Sequence, residues 1–221
     1  MFETKDPVST GNIVISIIFA WLVLRFLNAL SALFSISALG GLGGAIAPIE
    51  RLQLADMLDA WAKWGAIPLF IMAGVAVLHW IYVTNRNAHL FSDHVHTTPA
   101  WAVGWFFVPF ANFIKPFEAF AETWKATVSP AHVAFHVPSI LRWWWGLWIV
   151  RSIASNVSFR LQRRADTVDE LIAAKWGVVF QLTIDLPLVF VLASIIKQFS
   201  AMQSQRLATS PMPIRTDDDS I

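Results

Sequence analysis

The chain has 221 residues, of which 56% are hydrophobic and 14% charged, with a formal net charge of +1 and a mean hydropathy of +0.56. An average soluble domain carries about 25% charged residues, so this surface has too little charge to be wetted all round. Long disorder is excluded, and 16 basic residues against 15 acidic ones leave no electrostatic footprint for nucleic acid. The expectation is a single integral membrane domain over residues 1–205, followed by a disordered polar tail over 206–221. The absence of cysteine removes disulfides, thiolate nucleophiles and zinc–thiolate sites. Twelve tryptophans against one tyrosine suit a chain with many membrane–water boundaries.

The first apolar run, Ile13 to Leu39, exceeds the roughly 20 residues needed to cross a hydrocarbon core. It is too long for the apolar part of a signal peptide and reads as a retained transmembrane helix. Gly40, Gly41, Gly43 and Gly44 supply its stop. From Pro48 to Lys63, Leu54, Leu58 and Trp61 share one helical face, with Asp56, Asp59 and Lys63 on another. That spacing predicts an interfacial helix or a short surface helix. A second crossing is predicted from Trp64 to about Val83, with Pro68 in its first turn.

The third segment is irregular. Trp101 to Ile114 is apolar but short, and Pro109 and Pro116 bracket Asn112. Lys115, Glu118, Glu122 and Lys125 follow at three- and four-residue spacing, forming one stripe. A broken or re-entrant helix is expected here, which lipid tolerates only where protein or water covers the open backbone. The fourth crossing is predicted from Ser139 to about Phe159. Thr167 and Glu170 have the spacing of a reciprocal N-terminal cap, and the fifth apolar segment runs from Trp176 to about Ile196. The predicted class is therefore all-α: a membrane helical bundle with four to five transmembrane helices and amphipathic connectors. Basic residues occur in every connection, so orientation is nearly undetermined, with a lean to a cytoplasmic N-terminus.

Several residues resemble a known family. Asn85-Arg86-Asn87, the run Trp101 to Pro109, Asn112, Lys115-Pro116 and Glu122-Thr123-Trp124 look like the signature of Domain of Unknown Function 4328. Trp143-Trp144, Ser155-Asn156, Ser158 and the helix around Asp185 resemble it too. The likeness extends over about Ile13 to Gln203. It implies a bacterial multi-pass protein of the inner membrane and carries no assigned activity.

Asp185 is the sharpest candidate for chemistry, because a carboxylate inside an apolar helix costs about 2.5–3.5 kcal/mol to insert. It reads either as a proton or cation site or as half of a structural ion pair with Arg25 in the first helix, and the pair is preferred. The charged stripe with Pro109, Asn112, Lys115, Pro116, Glu118 and Glu122 reads as a polar cleft for a head group or, more simply, as a wet helix face. His89, Asp93, His94, His96, His79 and the pair His132 and His136 lack a complete ligand set, so no metal and no cofactor is expected. The tryptophan clusters suit interfacial anchoring better than a quinone site.

Without a catalytic constellation, the leading expectation is a scaffold or regulatory subunit acting by lateral contacts with another membrane protein or with itself. The alternatives are a small carrier or channel using Arg25 and Asp185, and a lipid- or quinone-directed enzyme using Glu118 and Glu122.

Overall fold

The computed structural model describes residues 6–128 and 136–209, and the described residues form helices and turns without strands. Helix α1 spans Pro7–Ala38, α2 Ile49–Ala88, α3 Pro99–Gly104, α4 Lys115–Val128, α5 Ser139–Arg164 and α6 Val168–Thr209. Helices α1, α2 and α6 are long and apolar enough to cross a membrane. Their outward faces expose Val23, Phe26, Ile71, Val75, Phe180 and Phe190, a surface that water accepts poorly. His132 and most of the expected tail, from Ser210 onward, lie outside the described residues; α6 itself runs through Arg206 to Thr209.

Local chemistry sets the helix ends. Asp6 caps α1, its carboxylate accepting from Val8 N at 2.9 Å and Ser9 N at 3.2 Å, and Pro7 sits where no N–H partner is needed. At the other end Gly40 adopts φ +80°, so that Gly40 N donates to Ser37 O and Gly41 N to Ile36 O. Thr167 and Glu170 form the reciprocal cap expected of them, with Glu170 N donating to Thr167 Oγ1 and Thr167 N to Glu170 Oε2.

Two expectations about elements need correction. The stretch from Pro48 to Lys63 is no separate connector, because it continues without a break into the second apolar helix as the 40-residue α2. Pro68 therefore lies inside α2, where a long helix absorbs the loss of one backbone bond. The third segment is broken into short pieces. It consists of the six-residue α3, two 3₁₀ turns at Trp105–Phe107 and Ala111–Phe113, and the 14-residue α4. At about 1.5 Å per residue α4 is roughly 21 Å long, too short to cross alone. The break centres on Phe110, an exposed residue with φ 64°, a left-handed backbone that only glycine adopts without strain.

Helix α1 packs against α2 and α6, and α6 against α5. Contacts at two depths run in opposite chain directions and make each pair of neighbours antiparallel: Trp21–Phe70 with Ser31–Asp59, Gly11–Ser200 with Arg25–Asp185, and Ser158–Gly177 with Arg151–Asp185. The α1–α2 connection at 39–48 and the α5–α6 connection at 165–167 thus share one end of the bundle, the connector end. The start of α1, the end of α6 and the α3–α4 cap occupy the other.

The cap end is dense with aromatics. Phe199, fully buried, stacks on Trp124 at 4.7 Å and meets Phe120 and Trp80 edge-on. Trp144 and Trp145 are buried against Phe120 and Phe117, while Trp143 alone of that triplet is exposed. Tryptophans expected to anchor the chain at an interface thus also build the core. Gln203 ties the layers together, its Nε2 donating to Thr84 O at 2.8 Å and Thr127 Oγ1 at 3.2 Å.

Gly11 permits the α1–α6 approach: a Cβ there would lie 2.8 Å from Ser200 Oγ, which already accepts from Trp80 Nε1 at 2.9 Å. Gly11→Val is expected to lower stability by about 1–3 kcal/mol through overpacking, read as a lower unfolding midpoint in detergent.

Candidate functional site

The buried ionic centre lies halfway along the bundle. Asp185 on α6 is fully buried, and both carboxylate oxygens are taken. Oδ2 accepts from Arg25 Nε at 2.8 Å and Oδ1 from Arg151 Nε at 2.7 Å. Arg25 also donates through Nη2 to Gln181 Oε1 at 2.9 Å. Charge-assisted bonds of this length are the strong kind, and they join three helices at one point. Trp21 backs both guanidiniums, with Arg151 4.8 Å and Arg25 6.0 Å from its ring.

The expected pair of Arg25 and Asp185 is thus present, and a second arginine completes it. Arg151 was missed because α5 carries five arginines and reads as merely basic. Its own face gives the signal: Arg151, Ser155, Ser158 and Gln162 recur at four-, three- and four-residue steps, a polar stripe on one side of a helix. The same steps hold for Trp21, Arg25, Asn28 and Ala32 on α1, and for Asp59, Lys63, Ala66 and Phe70 on α2.

These stripes line a cavity of about 410 Å³, with Lys175 and Gln181 contributed by α6. It opens toward the connector end, where Asp59 accepts from Ser31 Oγ at 2.6 Å, Ser35 Oγ at 2.7 Å and Lys175 Nζ. It ends at the arginines, about 15 Å below Lys175 by the ten residues of α6 between that lysine and Asp185. The cavity reaches the guanidiniums, while Asp185 stays sealed beneath them. Four basic side chains, Arg25, Lys63, Arg151 and Lys175, thus line the space, against the paired carboxylates of Asp59 and Asp185 and the charge of Asp56 near Lys175. Among the described residues Arg151 donates a hydrogen bond through Nε alone, and its guanidinium, set between the rings of Trp21 and Phe70, lines the cavity.

The other predicted site residues sit at the cap end. Lys115 and Glu118 pair with each other at 2.7 Å, both about half exposed. Glu122 holds the preceding loop, accepting from His96 N at 2.6 Å and Thr97 N at 3.1 Å. Pro109 is exposed between the two 3₁₀ turns, and Pro116 is buried in the first turn of α4. Asn112 Oδ1 is buried with no hydrogen-bond partner among the described residues. None of these residues lines the cavity beneath Lys175. His89 contacts Thr97 O at 3.1 Å, His79 is exposed on α2, and no cluster of three metal-binding side chains occurs among the described residues.

Among the described residues the architecture is all-helical, with three helices long and apolar enough to cross a membrane and an ionic clasp under a cavity lined by basic side chains. The chain belongs to the family described as Domain of unknown function (DUF4328), whose family model matches residues 45–201. The match begins after α1, later than the Ile13 expected from the resemblance, so Arg151 and Asp185 lie inside it and Arg25 before it. No curated protein and no solved structure matches the chain.

Proposed function

We propose that this is a multi-pass membrane protein with four crossings, α1, α2, α5 and α6, whose vestibule binds an anionic group without catalysis. Helix α5 is less apolar than the other three, yet it runs beside α6 from the Ser158–Gly177 contact to the Arg151–Asp185 pair. Its arginine at that depth faces the bundle interior, where membrane helices keep their charges. Four crossings return both ends of the chain to one side.

The observation that carries the binding function is Arg151, held by Nε on Asp185 while it lines a cavity that Arg25, Lys63 and Lys175 line as well. Asp185 acts here as the holder of two arginines. A proton or cation carrier would need a free carboxylate, and both oxygens of Asp185 are occupied. The scaffold reading draws support from a second, apolar groove lined by Leu24, Leu27, Leu30, Phe34, Leu58 and Trp61, which suits a neighbouring helix. It leaves Lys63, which lines the cavity without an ion pair among the described residues, without a task.

The chain has no cysteine, so a single Ser155→Cys in the vestibule can be labelled without background. A negatively charged methanethiosulfonate is expected to react about tenfold faster or more than a positively charged one, because a low-dielectric cleft concentrates the opposite charge. Equal rates, as a pure scaffold predicts, or a faster cationic reagent would refute the binding function.

A further inference from the structure

Resting on that reading, we infer that the anionic group is the head of a lipid, admitted sideways between α2 and α5. Among the described residues the packed neighbours run α2 to α1, α1 to α6 and α6 to α5, and α5 and α2 share no comparable packed seam. The vestibule therefore has a side opening as well as its mouth.

The edges of that opening are apolar and its floor is cationic. Ile67 and Phe70 on α2 and Phe159 on α5 line the cavity while remaining 43%, 52% and 58% exposed. A water-borne anion gains nothing from such a rim, whereas an amphiphile needs both surfaces in this order. Phe70 lies 5.5 Å from the Arg151 guanidinium, so the apolar and cationic surfaces meet at one point. Lys63 has no carboxylate partner among the described residues and stands at the mouth, near the depth where a head group enters. The polar lane from Lys63 past Ser155 to Arg151 lets a charged head descend while its chains stay outside the gap. A volume of about 410 Å³ exceeds what a bare ion fills and falls in the range of about 300–1,000 Å³ typical of small-molecule sites.

The test uses the full chain in nanodiscs of phosphatidylcholine mixed with phosphatidylglycerol, with bound lipid counted by native mass spectrometry. Phosphatidylglycerol is expected to be retained over phosphatidylcholine, and millimolar inorganic phosphate is expected not to displace it. Lys63→Gln, at an exposed site, should lower retention about fivefold, and Arg151→Gln, which leaves Asp185 paired with Arg25, about tenfold or more. Ile67→Trp narrows the opening and keeps every charge. It should reduce lipid retention while the reagent preference at Ser155→Cys persists.

Displacement by inorganic phosphate would overturn the lipid in favour of a water-borne anion and leave the binding function standing. So would indifference between the two lipids alongside an intact reagent preference. Loss of the reagent preference itself would remove the binding function, and the lipid with it.

Discussion

Asp185→Asn is expected to be the most damaging single substitution in the vestibule, costing about 3–5 kcal/mol of stability. The carboxylate is fully buried and neutralises two guanidiniums at once, 2.8 and 2.7 Å away. An amide of the same shape accepts through one oxygen and carries no charge, so Arg25 and Arg151 would face each other across it. Losing either arginine alone is milder, because Asp185 keeps one partner. The order of midpoints in detergent should therefore be wild type, then Arg151→Gln, then Asp185→Asn. The double variant should recover part of the Asp185→Asn loss, since it removes one of the stranded cations. Tryptophan fluorescence suits this measurement, because Trp21 lies against both guanidiniums. If the double variant were as unstable as the sum of the two single ones, Arg151 and Asp185 would not be coupled.

The same centre marks how far the sequence could be read. Arg25 and Asp185 stand out because each interrupts a long apolar run, and insertion cost makes a partner necessary. Their pairing follows without coordinates. Arg151 does not stand out against the arginines of α5, and only its three- and four-residue spacing to Ser155, Ser158 and Gln162 separates it from them. The vestibule needs three such stripes to converge with Lys175 and Gln181 of α6, which depends on which helices are neighbours. That order is set by close approaches such as Gly11 to Ser200, which no local pattern encodes. The stripe at Lys115, Glu118, Glu122 and Lys125 has the same periodicity and a different fate. Glu122 serves the backbone of a loop 25 residues earlier, a long-range use that spacing cannot reveal. Pro68 misled in the opposite direction: proline commonly opens a helix, but a long apolar helix carries one in its interior.

At the cap end, Phe199→Ala is expected to cost about 3–5 kcal/mol, against well under 1 kcal/mol for Phe180→Ala on the same helix. Phe199 is fully buried among Trp80, Phe120 and Trp124, and truncation leaves a void that rigid rings cannot close. Phe180 is 61% exposed on the outer face, where lipid chains replace whatever contacts are lost. In detergent the first variant should show a much lower unfolding midpoint and faster proteolysis across α4, and the second should match wild type. The cluster also separates the two ends of the bundle. It holds α4 on α2 and α6 at the end opposite the vestibule mouth, and Trp80, Phe120, Trp124 and Phe199 do not line the cavity. Below its melting temperature, Phe199→Ala should therefore keep the anionic-reagent preference at Ser155→Cys. Were that preference lost with the cap still folded, the aromatic layer would be part of the binding device, and the arginines would depend on it for their position.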